Sequence, residues 1–295
     1  MSHHEPTVAI VGATGAVGTE LIACLERRRF PLSQLRLFAS GRSAGRQVQF
    51  RNSMLPVETL TMDSLAGTDM ALFSAGGDTS RRFVPLAVHQ GTVVIDNSSA
   101  FRMQGEVPLV VPEVNPDAIL EHRGIIANPN CVAIIAVVPL WPLHRTFGIR
   151  RIIASTYQAA SGAGAAAMEE LRQSTRAALA GESFSPRILR HPYAFNLYSH
   201  DTPVDPVSGA NEEETKVMRE LRKIMMAPDL PIGVTCIRVP VLRAHAISLT
   251  VEFDRAITPE AARELLESAP GVRLVDDAAN NRFPMPIEAS GQDGV

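Results

Sequence analysis

A chain of 295 residues holds one large domain or two ordinary ones. Hydrophobic residues make up 45% and charged residues 20%, a globular mixture with enough apolar material for a core of normal size. The formal net charge of -3 excludes a chain-wide basic footprint for nucleic acid, while local arginine clusters still admit a small anionic substrate.

Residues 1–7 are polar, carry His3 and His4, and lack the apolar core of a secretory signal. Val8–Val11 is a short, wholly apolar run leading into a glycine-rich turn, which reads as a buried parallel strand. A helix is predicted over Ala16–Arg28, with Val17, Leu21 and Leu25 at fourfold spacing. Leu35–Ala39, Met70–Ser74 and Thr92–Asp96 read as further strands, with a helix over Thr79–Gln90. Repeated strand–helix–strand units imply a parallel α/β sheet with right-handed crossovers, ending near Asn128. The longest apolar run, Val132–Leu143, contains Pro139 and Pro142 and is too short to span a bilayer, so no membrane partner is expected.

The second half has a different texture. Ile152–Gln158 reads as a strand and Gly164–Leu179 as an alanine-rich helix. Asn211–Met226 is a helix whose start is marked by Asn211 and, three residues on, Glu214. Val234–Val241 and Ala246–Phe253 carry strand-forming residues, and Pro259–Ala269 reads as a helix. The expected fold class is therefore α/β: a Rossmann-like parallel-sheet nucleotide domain over 1–128 and a larger α+β domain over 129–295.

Gly12-Ala-Thr-Gly-Ala-Val-Gly18 follows a strand and opens a helix. Glycines let the backbone turn tightly and approach a pyrophosphate, which the helix N-terminus then holds. The plainer alternative is a bare strand-to-helix turn. After the second strand, Phe38-Ala-Ser-Gly-Arg-Ser43 lacks the carboxylate that would hold the ribose hydroxyls of NAD. Ser40, Arg42 and Ser43 suit a 2′-phosphate instead; otherwise they form an exposed polar loop.

Cys24, Cys131 and Cys236 lie far apart with no CxxC pair, so neither a metal site nor a redox disulfide is expected, and the sparse odd count suits a reducing cytoplasm. Asn128-Pro-Asn-Cys131 precedes an apolar stretch of helical length, which places Cys131 at a helix N-terminus where the dipole favours a thiolate. A lone cysteine is otherwise a small buried hydrophobe, and Cys24 and Cys236, inside a helix and a strand pattern, are read that way. Among the histidines, His89, His122 and His144 are assigned solvated roles. His245 sits beside Arg238 and Arg243. On one continuous strand Arg238 and His245, seven apart, would face opposite sides, but Pro240 allows a break that lets them converge.

Several strings resemble the aspartate-semialdehyde dehydrogenase family in its order: GATGAVG (12–18), FASGRSAG (38–45), FSAGG (73–77), VIDNSSAFRM (94–103), LVVPEVNP (109–116), ANPNC (127–131), STYQAASGAG (155–164), NEEETK (211–216) and CIRVPVLRAHA (236–246). The resemblance implies a nucleotide-binding domain, a catalytic and dimerisation domain, and assembly as a homodimer or homotetramer. It implies NADPH-dependent reduction of L-aspartyl 4-phosphate to L-aspartate 4-semialdehyde and phosphate, serving biosynthesis of lysine through diaminopimelate, of threonine and of methionine. By position, Cys131 matches the nucleophile, His245 the acid/base and Gln158 the glutamine that places the substrate. Arg102 and Lys216 match phosphate-holding residues, Arg238 the substrate-carboxylate arginine, Glu213 a partner for the substrate amine, and Asn130 a further substrate-side residue. Gly12, Thr14, Gly15, Ala16, Val17, Ser40, Arg42, Ser43, Ser161 and Gly162 match NADP(H) contacts. No metal is implied.

Two departures matter. The family usually has Ser-Thr after the cysteine, where this chain has Val132 and Ala133. The family also continues several dozen residues past Val295, with a helix returning to the nucleotide domain and an asparagine near the nicotinamide. A chain without that tail is expected to leave one sheet face partly bare and to be weak or inactive. Rival readings are an N-acetyl-γ-glutamyl-phosphate reductase, which needs no site for a free amine, and a non-catalytic relative that binds nucleotide or a partner subunit. Glyceraldehyde-phosphate dehydrogenase shares the mechanism but not these strings.

Overall fold

The computed structural model describes residues 5–295, so His3 and His4 lie outside the described residues. The chain divides into two compact units, 1–110 with 116–129, and 111–115 with 130–295. Residues 111–115, which the sequence reading assigns to the first domain, thus group with the second unit.

The first unit runs β1 (Thr7–Val11), α1 (Ala16–Arg27), β2 (Gln34–Ala39), β3 (Gln47–Phe50), β4 (Ser53–Thr59), β5 (Met70–Phe73), α2 (Gly77–His89), β6 (Val93–Asp96) and β7 (Ile125–Ala127). The strands form one sheet in the order β3-β4-β2-β1-β5-β6-β7. All neighbours are parallel except β3, which is antiparallel to β4. From β1 to β2 the chain moves one way along the sheet, and from β5 to β6 it moves the other. Right-handed crossovers in opposite directions place α1 and α2 on opposite faces. Ala9 and Ile10, neighbours that face opposite sides, are both 0% exposed. The expected bare face is therefore not found at the central strand. The sequence reading missed β3, β4 and β7: Ser53, Met54, Pro56 and Glu58 of β4 are exposed, so it carries no apolar run.

The second unit runs α3 (Cys131–Phe147), β8 (Ile149–Gln158), α4 (Ala165–Ala180), β9 (Tyr198–Ser199), α5 (Glu212–Ile224), β10 (Ile232–Arg238), β11 (Ala246–Phe253), α6 (Pro259–Glu267) and α7 (Pro286–Ala289). Its sheet has the order β11-β8-β10-β9. β8 and β10 are parallel, while β11 and β9 run antiparallel to their neighbours. Helix α3 buries Val132, Ala133, Ala136, Val137 and Leu140, which is why its sequence is apolar without being a membrane span. No helix among the described residues is long and apolar enough to cross a membrane. Pro139 and Pro142 lie inside α3 and each lacks the N–H that would reach back four residues.

α5 begins as its sequence suggests. The Asn211 side chain accepts the Glu214 N–H, and the Glu214 carboxylate accepts the Asn211 N–H, each at 2.9 Å. His144 corrects the solvated role assigned to it. Its Nδ1 accepts the Ile149 N–H at 2.9 Å, and burial lowers its pKa, with Asp254 pulling the other way. It helps close the α3–β8 turn.

Candidate active site

In the second unit the centre is built around the first turn of α3. Asn130 caps that helix: its side-chain oxygen accepts the N–H of Val132 at 2.8 Å and of Ala133 at 3.4 Å. Cys131 is the first helical residue and is exposed. The helix N-terminus thus presents the thiol outward, in the setting the sequence suggests. Cys236 is buried, and burial pushes its thiol up to about 12, with a Thr156 hydrogen bond pulling down. Such a thiol stays protonated and inert.

Helix α5 supplies the next layer. One carboxylate oxygen of Glu213 accepts the side-chain amide of Asn130 at 2.8 Å and that of Gln158 at 3.2 Å. The Gln158 side-chain oxygen accepts the Thr156 hydroxyl at 3.0 Å. Gln158, at the end of β8, is therefore aimed by both its polar ends. Burial opposes a charge on Glu213, but Asn130, His200, Lys216 and Gln158 outweigh it and hold its pKa below the ordinary carboxylate value. Lys216, one turn on, pairs with Glu212 at 2.8 Å.

Arg238 ends β10 and His245 precedes β11. A Cβ on Gly162 would lie 3.2 Å from Cε1 and Nε2 of His245 and 3.4 Å from Nη1 of Arg238. Both side chains thus converge on one glycine, and they do so because the chain leaves strand geometry between them, with Ala244 at φ 65°. Burial first, then the Arg238 charge, lower His245 to about 4, against the pull of Glu213. Its Nδ1 accepts the Ala159 N–H. Ser161 is fixed through its N–H to Leu242 O at 3.0 Å, beside Gly162.

Three more residues belong to this centre and escape the sequence reading. His200 is buried and faces Arg238, Glu213, Asp201 and Lys216; burial, then Arg238, lower its pKa. Asp201 lies 3.7 Å from Nε of Arg238. Tyr193 donates its hydroxyl to Val239 O at 2.5 Å, bracing the strand end that carries Arg238. No motif or periodicity marks them, since their segment holds only the two-residue strand β9.

The first unit carries the other predicted set. Gly12 has φ 91°, and a Cβ there would come within 2.3 Å of Ser74 O. A Cβ on Gly18 would lie 2.2 Å from Gly12 O. Only glycine fits either position, and the turn leaves Gly15, Ala16 and Val17 at the open start of α1. Thr14 donates to the Ser43 hydroxyl at 3.2 Å, joining the glycine turn to the loop after β2. Ser40 and Arg42 in that loop are exposed. The open glycine turn at the start of α1 fits a dinucleotide. Arg102 is held by Asn128 O at 2.9 Å and Asn97 O at 2.8 Å. Asp96, fully buried, accepts the hydroxyls of Ser80 and Ser98, each at 2.7 Å, and so fixes the loop after β6. No metal-binding cluster occurs among the described residues.

The family model described as "Semialdehyde dehydrogenase, NAD binding domain" matches residues 7–122, and "Semialdehyde dehydrogenase, dimerisation domain" matches 140–295. An aspartate-semialdehyde dehydrogenase of Synechocystis sp. is 50% identical over 288 residues, covering 98% of this chain and 85% of that protein. One from Aquifex aeolicus is 47% identical over 293 residues, covering 98% and 86%. A crystal structure of aspartate semialdehyde dehydrogenase II complexed with ASA from Vibrio cholerae is 39% identical with a TM-score of 0.95, covering 99% of this chain and 86% of that one. The chain belongs to the aspartate-semialdehyde dehydrogenase family.

Proposed function

We propose that this enzyme reduces L-aspartyl 4-phosphate to L-aspartate 4-semialdehyde and phosphate with NADPH, through a thioester on Cys131, as a step of amino-acid biosynthesis. The observation that carries the reading is the cluster at the start of α3. An exposed thiol follows a cap residue bound to Glu213, which also binds Gln158. The Cys131 sulfur attacks the acyl carbon, the C–O bond to phosphate breaks, and phosphate departs. The thioester divides one hard reduction into two easier steps. The glycine cradle would hold NADPH, which would supply the hydride for the thioester carbon. Hydride addition leaves a tetrahedral oxyanion to which the Nε2–H of His245 donates; its collapse re-forms the C=O as the C–S bond breaks, and the Cys131 thiolate leaves the aldehyde. Gly12, Thr14–Val17, Ser40, Arg42, Ser43, Ser161 and Gly162 are the residues that would hold the cofactor.

The substrate carries a phosphate, an α-carboxylate and an amine. Arg238 takes the carboxylate, for which a guanidinium fork is suited, and Lys216 and Arg102 take phosphate. Glu213, held charged, takes the amine, with Asn130 beside it. An N-acetylated substrate has no cation for that carboxylate, which disfavours the N-acetyl-γ-glutamyl-phosphate reading. The test is phosphate-dependent reduction of NADP by L-aspartate 4-semialdehyde. Turnover with the N-acetylglutamate semialdehyde and none with the aspartate compound would overturn it.

The second unit matches a dimerisation domain, and the outer face of its sheet leaves Ile153 and Tyr157 42% and 43% exposed. That face joins two copies of the chain in a homodimer, which sedimentation of wild type against Ile153→Lys checks. The reaction belongs in the cytoplasm, where thiol nucleophiles stay reduced.

A further inference from the structure

We propose that Glu220 is a positioning residue for the nucleophile: it sets Cys131 by anchoring the backbone of Asn130. The inference rests on the reading of Cys131 as the attacking group. Glu220 lies on α5, seven residues after Glu213, so both carboxylates share one face of the helix. Both reach Asn130. Glu213 accepts its side-chain amide, and Glu220 accepts its backbone N–H at 2.5 Å.

Glu220 is 1% exposed. A carboxylate is costly in such a place unless its oxygens are hydrogen-bonded, and an apolar side chain of equal length would pack there more cheaply. What an apolar residue cannot do is accept the Asn130 N–H, which would be left as a buried orphan donor. A charged acceptor also makes the stronger bond. The rest of Asn130 is committed as well. Its side-chain oxygen caps α3 at Val132 and Ala133, and its carbonyl accepts the Ile134 N–H at 3.0 Å. With its amide on Glu213 and its N–H on Glu220, the residue has one orientation.

Cys131 is bonded to Asn130, so the rotation that points its thiol is inherited from this anchor. The two carboxylates divide the work. Glu213, 8% exposed, also holds Gln158 and is the carboxylate that the proposed function assigns to the substrate amine. Glu220, more deeply buried, keeps the nucleophile's backbone in place. A misplacement of about 1 Å at a reacting atom costs about 10²-fold in rate.

The experiment compares wild type, Glu220→Gln and Glu220→Met in the full-length chain. Gln keeps an acceptor oxygen; Met keeps the length and none. Three quantities are read: kcat and KM in the phosphate-dependent oxidation, the alkylation rate of Cys131 by iodoacetamide mapped by peptide mass, and amide exchange at Asn130. The expected result is a kcat loss of about 10²-fold in Glu220→Met, KM for NADP unchanged, altered alkylation at Cys131 and rescue to within a few-fold by Glu220→Gln. Faster exchange at Asn130 should accompany the loss. Wild-type kcat in a folded Glu220→Met, or a Glu220→Gln as impaired as Met, overturns the proposal. If Glu220→Met does not fold, Asn130 exchange in wild type and Glu220→Gln decides: equal, unprotected amides overturn it, and a protected amide that loosens in Glu220→Gln upholds it. Alkylation involves no substrate, so a wild-type enzyme that fails on aspartate semialdehyde would sink the functional reading and leave this one standing.

Discussion

The backbone N–H of Ala159 donates to Nδ1 of His245 over 2.8 Å. An accepting Nδ1 assigns the proton of the neutral ring to Nε2, the nitrogen that lies beside Gly162. Burial and Arg238 lower the ring's pKa to about 4, so at neutral pH it is an uncharged donor. His245→Asn should therefore keep the fold and lower turnover by about 10²-fold to 10⁴-fold, the range of a positioned acid/base. Normal activity with an unchanged pH profile would remove His245 from the mechanism.

The same shift predicts a stability change with pH. The folded pKa is depressed from 6.5 to about 4, so the unfolded chain binds the proton more readily between those values. Stability from the neutral ring is complete above about 6.5 and is lost as pH falls toward 4. His144 and His200 are shifted in the same direction and add to the slope. Denaturant midpoints taken from pH 7 down to 4.5 should fall less steeply in His245→Asn than in wild type. Parallel curves would show that the ring's environment is not what lowers acid stability.

Thiol labelling should be selective. Cys131 is exposed, Cys24 is partly covered with Arg27 donating to its sulfur at 3.3 Å, and Cys236 is buried. Iodoacetamide should label Cys131 first and abolish turnover with it, and Cys131→Ala should retain NADPH binding. Activity lost in step with labelling at Cys24 or Cys236 would contradict the assignment.

On the proposed function, Glu213→Gln removes the charge assigned to the substrate amine. Losing one charge-assisted contact should raise KM for aspartate semialdehyde by about tenfold to a hundredfold. An analogue without the amine should show little change. Equal losses on both compounds would mean that Glu213 serves only to hold Asn130 and Gln158.

Arg42→Ala should weaken NADPH by a similar factor, about tenfold to a hundredfold, and barely alter NADH. The side chain is exposed in the loop that Thr14 joins through Ser43. Matching losses for the two cofactors, measured by fluorescence titration, would mean that Arg42 shapes the loop and does not read the phosphate.

What was legible in the sequence was local. Asn211 and Glu214 are three residues apart, and their reciprocal bonds need nothing from the rest of the chain. The glycine cradle and the polar string before α3 are likewise readable over a few positions. Arg238 and His245 were harder, because strand alternation separates them and only the break before β11 brings both to Gly162. Glu220 was not legible at all. It meets Asn130 across 90 positions, and nothing near it in the chain distinguishes it from the other glutamates of α5. His200 and Asp201 lie in an irregular segment whose placement depends on pairing with β10.

Residues 111–115 give the molecule a constraint on its inheritance. The chain passes from one unit to the other after Val110, returns at Pro116 and leaves again after Pro129. Within the second unit the short excursion is packed closely: a Cβ on Gly271 would lie 2.9 Å from the Glu113 side chain. A recombination event joining two related genes at residue 130 would therefore combine a five-residue piece from one parent with the surface that receives it from the other. Exchange of a whole unit requires two segments to move together. Neighbours of Gly271 and residues 111–115 should then change in concert across descendants, although they are far apart in the gene.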